Sequence, residues 1–144
     1  MAIYARHMTY AGDVTPSEAY AAATGPDDAL LVDVRTRAEW TYVGVPVLEG
    51  AHHDVAFVEW STFPEGQVNE RFVDEVLDAG LEPGRPVYLL CRSGVRSKAA
   101  ADALTRAGLG PAFNVLEGFE GPHDEQGHRT VAGWKVAGLP WRQG

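Results

Sequence analysis

The sequence predicts an α/β domain built on a mainly parallel sheet. Three observations lead there. Short apolar runs, "ALLVDV" (29–34), "PVYLL" (86–90) and "AFNVLEG" (112–118), read as buried strands. Segments carrying helix signals stand between them, which is the alternation of a parallel sheet. The loop "CRSGVRS" (91–97), which contains the chain's one cysteine, directly follows the second run. That is the carboxyl end of a strand, where open α/β sheets bind ligands.

Taken in order, "TPSE" (15–18) opens the first helix, with Thr15 as N-cap, Pro16 in the first turn and Glu18 closing a capping box. The helix runs through "AYAAA" and stops near Gly25 and Pro26. After the first strand comes a short helical piece, "RAEW". The stretch from Gly44 to Gly66 is rich in Pro, Gly and His and holds a short strand at 51–53. "NERFVDEVLDAGL" (69–81) places Phe72, Val73, Val76 and Leu77 on one helical face, and Gly80 ends it. A helix from about Val95 to Ala107 is expected to bury Val95, Ala99, Ala103 and Leu104, with Gly108 as its stop. The C-terminal "AGWKVAGLPW" reads as a short helix closed by Gly138.

A chain of 144 residues with 45% hydrophobic content is long enough for one domain with a real core, expected to span 1–144 with its core at about 13–142. A formal charge of −8 argues against nucleic-acid and anionic-membrane partners, which demand basic surfaces. No apolar run reaches the length of a membrane span, and "MAIYARHMTYAGDVTP" lacks the apolar centre of a secretory signal. A lone cysteine forms no internal disulfide. The cytoplasm is the expected compartment.

Against that acidic background, Arg92, Arg96 and Lys98 crowd the residues after Cys91. A strand turning through this loop into a helix leaves backbone N–H groups without intrahelical partners. Gly94 lets them converge, and the helix dipole adds positive charge. Such a site favours a thiolate, a persulfide anion or a bound oxyanion. The bland alternative is a cysteine packed as a small hydrophobe. Cysteine phosphatases place an arginine six residues after the cysteine, where it clamps the phosphoryl oxygens. Here that position is Ser97, and Arg96 comes one residue early, so the smaller cradle suits a single sulfur better than a phosphoryl group.

These motifs resemble the rhodanese homology family of sulfurtransferases. "LLCRSGVRSKAA" resembles its active-site loop and "LLVDVRTRAEW" its "LxDVRxxxEY" segment. "EGAHHDVAF" is similar to its "PGAxxxP" region without the proline. "NVLEGFEG" and "GWKVAGLPW" resemble its closing segment, separated here by "PHDEQGHRTVA". The resemblance covers Thr15 to Trp141. It implies a single-domain rhodanese-like fold, a five-stranded mainly parallel sheet flanked by helices on both faces. It implies Cys91 as nucleophile, with Arg92, Ser93, Gly94, Val95 and Arg96 as the persulfide-binding loop and Asp33, Arg35 and Ser97 in support. Sulfane sulfur would pass from thiosulfate or a persulfide donor to cyanide, a thiol or a thiol protein, with no cofactor. Relatives specific for thiosulfate carry a lysine where this chain has Ser93 and an arginine where it has Glu39. Both departures point towards a persulfide donor. The alternatives are a non-catalytic binding module and, behind it, a phosphatase or arsenate reductase.

For the supporting residues, an ion pair between Arg35 and Glu39 at i, i+4 is expected, with Asp33 accepting backbone N–H bonds near the active loop. His52 and His53 would point to opposite faces of a strand, and "HDEQGH" (123–128) lacks the ligand spacing of a zinc site, so no metal is expected. The segment 120–133 is long enough for a lid or docking surface, or equally a tolerated insertion. Of Trp40, Phe57, Trp60 and Phe119, one or two are expected to wall the site.

Overall fold

The computed structural model describes residues 10–51, 53–62, 65–92, 94–121 and 133–143. Five strands form one parallel sheet: β1 (Gly12–Val14), β2 (Leu30–Asp33), β4 (Ala56–Phe57), β5 (Val87–Leu90) and β6 (Ala112–Val115), in the order β1-β6-β5-β2-β4. The pairs Leu30↔Val87 through Asp33↔Leu90 put the ends of β2 and β5 level, and Asp13 lies beside Asn114 across β1 and β6. Two further short strands, β3 (Val45–Pro46) and β7 (Trp141–Arg142), pair antiparallel apart from this sheet.

The helices follow the local signals. In α1 (Pro16–Thr24) the Thr15 hydroxyl accepts from the Glu18 N–H while the Glu18 carboxylate accepts from the Thr15 N–H. A second capping box, Thr36 with Glu39, starts α2 (Arg37–Tyr42). α3 (Phe72–Asp78) and α4 (Val95–Arg106) complete the set among the described residues. Successive side chains of a strand face opposite sides. Accordingly Leu30 and Val32 pack with Phe72 and Val76 of α3 and Ala100, Ala101 and Leu104 of α4. Leu31 instead packs with Ala19 and Ala23 of α1 and with Phe119 and Trp134. Helices therefore cover both faces, and the strands that carry the site are buried on each side. Among the described residues no helix is long and apolar enough to cross a membrane.

Several expectations are corrected. The strand expected at 51–53 does not form at Ala51 or His53; His52 lies outside the described residues, and the pairing goes to Val45–Pro46 and Ala56–Phe57. Leu77 is exposed, leaving Phe72 and Val76 as the buried side of α3. In α4 the phase differs: Ser97, Ala100, Ala101 and Leu104 face the core, while Val95 is 76% exposed and Ala99 faces solvent. The reason is that a polar residue, Ser97, holds the innermost position through hydrogen bonds. The segment 133–138 makes turns rather than a helix, and the chain beyond pairs with β3 instead.

Candidate active site

Leu90 ends β5, and its carbonyl accepts from the Val34 N–H beside it, so the ends of the two central strands are tied. Cys91 follows at once and is 1% exposed. The chain then turns to Gly94, the N-cap of α4, which takes φ +111°, a left-handed conformation that favours glycine. That turn brings the Gly94 N–H to 3.0 Å from Cys91 Sγ. The Ser97 hydroxyl, three residues into the helix region, lies 3.3 Å from the same sulfur.

The segment after β6 holds the other side of the loop. The Phe119 N–H donates to the Cys91 carbonyl at 2.8 Å, and the N–H groups of Glu120 and Gly121 donate to the Arg92 carbonyl at 3.0 and 3.1 Å. With its first carbonyls engaged outwards, the loop is free to turn the Gly94 amide towards sulfur. Gly118 makes this possible, because a Cβ there would sit 2.3 Å from the Cys91 carbonyl oxygen.

Above the loop opens a cleft of about 400 Å³ lined by Thr36, Ala38, Glu39, Val43, Ser61, Thr62, Gly66, Arg92 and Arg96. Arg92 is exposed. Arg96 is bound bidentately by Glu39, Nη1 to Oε1 at 2.7 Å and Nη2 to Oε2 at 2.9 Å. Burial pushes the Glu39 carboxyl up, but the Arg96 hydrogen bonds, the Thr36 N–H, the charge of Arg96 and the Thr36 hydroxyl outweigh it and hold the group at about 2. Arg96 is raised above its ordinary range, chiefly by the hydrogen bonds to Glu39. A folded-state value below the ordinary 4.5 means that the ionised pair contributes stability above about pH 4.5, lost as the pH falls through about 2. On the order of 2–3 kcal/mol is at stake. We expect wild type to exceed Glu39→Gln in urea-unfolding stability by that order near neutrality, with the gap closing in the acid window.

The structure brings Cys91, Gly94, Arg96 and Ser97 together, with Arg92 at the mouth. Ser93 lies outside the described residues, as do 122–132, the bulk of the segment considered as a lid. Val95 points to solvent and offers at most its backbone. Asp33 and Arg35 do not line the cleft; they form a fully buried pair, Arg35 Nη2 to Asp33 Oδ2 at 2.7 Å and Nε to Oδ1 at 3.0 Å. The expected Arg35–Glu39 pair is therefore wrong, because Asp33 lies closer and Glu39 is taken by Arg96 and its cap. Asp33 does accept a backbone N–H, from Arg35 at 3.1 Å. The aromatic wall is also corrected. Trp40 packs edge-on against Phe57, Trp60 against Phe72, and Phe119 approaches the loop through its N–H.

Sequence reasoning missed Asn114, Gly118 and the pairing of Glu39 with Arg96. Two had a visible signal: "TRAE" (36–39) is a capping box that fixes Glu39 at the strand end, and Asn114 is the polar residue in an otherwise apolar strand. Among the described residues no cluster of three or more His, Cys, Asp or Glu is placed to hold a metal.

Comparison with known proteins agrees with this arrangement. The rhodanese-like domain matches residues 15–125. "Uncharacterized protein RC0915" of Rickettsia conorii is 36% identical over 131 residues, 90% of this chain and 96% of its own. The crystal structure of Rv0390 from M. tuberculosis superposes with a TM-score of 0.84 at 50% identity, covering 94% of this chain and 99% of that one. The polysulfide-sulfur transferase homodimer of Wolinella succinogenes, at 20% identity, shares the fold with a TM-score of 0.60, covering 96% and 82%. A thiol at the end of a central parallel strand, a short loop turned onto it and a match across most of the chain lead to one assignment: this chain belongs to the rhodanese-like domain family.

Proposed function

We propose that the protein is a sulfurtransferase that carries sulfane sulfur on Cys91. The observation that carries this reading is the Gly94 N–H donating to Cys91 Sγ at 3.0 Å at the start of α4. A backbone donor fixed in this way supports negative charge on sulfur without reorganising. In the first half-reaction the Cys91 thiolate attacks the outer sulfur of a donor persulfide, R–S–S⁻. A new S–S bond forms, the donor's S–S bond breaks, and RS⁻ leaves with the electron pair. In the second, an acceptor thiolate takes the outer sulfur and Cys91 leaves as thiolate, so no net oxidation occurs.

The charge in the cleft favours this donor class. Glu39 neutralises Arg96, which leaves Arg92 as the loop's exposed arginine. A monoanionic persulfide needs less positive charge than the thiosulfate dianion. The acceptor is a thiol or a thiol protein, and a free thiol that must stay reduced fits the cytoplasm. A phosphatase reading is the weaker one, since the clamp position holds Ser97, which is buried against Cys91.

Intact mass after incubation with a low-molecular-weight persulfide should show one added sulfur, absent in Cys91→Ser and removed by cyanide. Loading from thiosulfate should be slower, and Glu39→Gln, which frees Arg96, should narrow the difference. No added sulfur from either donor would sink the proposal.

A further inference from the structure

Behind the thiol, away from the cleft, runs a chain of side-chain hydrogen bonds that sulfur transfer as described does not use. The Ser97 hydroxyl, beside Cys91 Sγ, donates to Asn114 Oδ1. Asn114 Nδ2 donates to Asp13 Oδ1 at 3.0 Å, and the Tyr10 hydroxyl donates to the same oxygen at 3.0 Å. Ser97 and Asn114 are fully buried, while Asp13 is exposed on β1, in register with Asn114. The chain thus links the edge of the sheet to the sulfur.

Its direction is not free. A carboxylate only accepts hydrogen bonds. Asp13 therefore takes the NH₂ of Asn114, which turns the Asn114 carbonyl towards Ser97 and claims the hydroxyl proton. Ser97 is left with a lone pair facing Cys91. Tyr10 reinforces the order: partial burial first, then the Asp13 hydrogen bond and charge, raise its phenol above the ordinary value, so it stays a donor. A thiol satisfies this site completely, giving its S–H to Ser97 and accepting from Gly94. A thiolate faces the Ser97 lone pair. The hydroxyl can turn to it only by abandoning Asn114 Oδ1, and an unpaired buried acceptor is costly.

We propose that Asp13, acting through Asn114, sets the polarity of Ser97 and holds resting Cys91 as the thiol. The three are positioning residues, and their effect opposes that of the loop, since Gly94 supports the anion and Ser97 the protonated form. The thiolate is the form that oxidises and alkylates, so the restraint shields the sulfur between turnovers. The inference deepens the reading of Cys91 as the reacting group, but its test detects thiolate and no transferred sulfur. A failure to load sulfur would leave it standing.

The test is Asp13→Asn in the full chain. An asparagine at 13 can donate to Asn114, which makes the reversed chain available: Asn114 then donates to Ser97, and the Ser97 hydroxyl points at sulfur. Ultraviolet thiolate absorbance at neutral pH, with Cys91→Ala as blank, should show the thiolate-to-thiol ratio rising about tenfold. The rate of alkylation by iodoacetamide should rise in parallel. In a Ser97→Ala background the same substitution should produce no rise. An unchanged ratio in Asp13→Asn would overturn the proposal. So would an equal rise without the Ser97 hydroxyl, which would mean that the lost charge acts through space. Asp13 is exposed on an edge strand and Ser97→Ala removes a single oxygen atom, so the fold should survive both.

Discussion

Asp33→Leu is expected to lower folding stability by about 3–5 kcal/mol, and Arg35→Met by a similar amount, because each leaves an unpaired charge in the interior. Both side chains are fully buried. Arg35 Nη2 also donates to the Gly44 carbonyl at 2.7 Å, and its guanidinium lies 4.2 Å from the centre of the Phe119 ring. The pair therefore ties the end of β2 to the start of β3 and to the segment that backs the active loop. Total stabilities of small domains are about 5–15 kcal/mol, so either change removes a large fraction. The double variant should be more stable than either single one, since an apolar pair of similar volume carries no charge to desolvate. Urea unfolding of the four proteins measures this directly, and strictly additive losses would refute it.

The second large effect is expected at Gly118. An alanine there would put its Cβ 2.3 Å from the Cys91 carbonyl oxygen and 2.6 Å from both the carbonyl carbon and oxygen of Arg92, at φ +61°. These are backbone atoms and cannot swing aside. Overpacking of this kind together with the left-handed backbone should cost about 3 kcal/mol or more. The loop must also move, so sulfur loading on Cys91 should fall further than lost stability explains, as measured on protein that is still folded. Gly108→Ala is the matched control. It has a similar backbone, φ +80°, with open space around it, so it should cost only about 1–2 kcal/mol and leave loading intact.

What could be read from the sequence was largely what is written locally. The Thr15–Glu18 box fixes α1 within four residues, and the apolar runs mark β2 and β5 because burial on both faces favours apolar residues along most of each strand. The position of Cys91 at a strand end follows from its neighbours alone. What could not be read depends on distant partners. Ser97 was expected to support the loop, but only Asn114 and Cys91, brought in by β6 and β5, make it the innermost residue of α4. The stripe begun at Val95 is shifted accordingly, and of its four residues Leu104 alone is fully buried. Glu39 was assigned to Arg35 by helical spacing, but tertiary packing supplied Arg96, 57 positions away, with better geometry. The C-terminal turns failed for the same reason: "GWKVAGLPW" has helix-like composition, yet Trp141 and Arg142 find their hydrogen bonds on β3.

The strand order has a consequence for how the site comes into being during synthesis. Of the five sheet strands, β1 is made first, yet its neighbour among the described residues is β6, the last of them to be made. Until the ribosome has passed Val115, Asp13 has no Asn114 to bind, and until Phe119 and Gly121 emerge, the carbonyls of Cys91 and Arg92 lack their donors. The strand that emerges first is seated last, and the thiol spends the intervening seconds on a nascent chain without its proton restraint or its backing segment. Reactivity at Cys91 is thus contained by the same late step that closes the sheet.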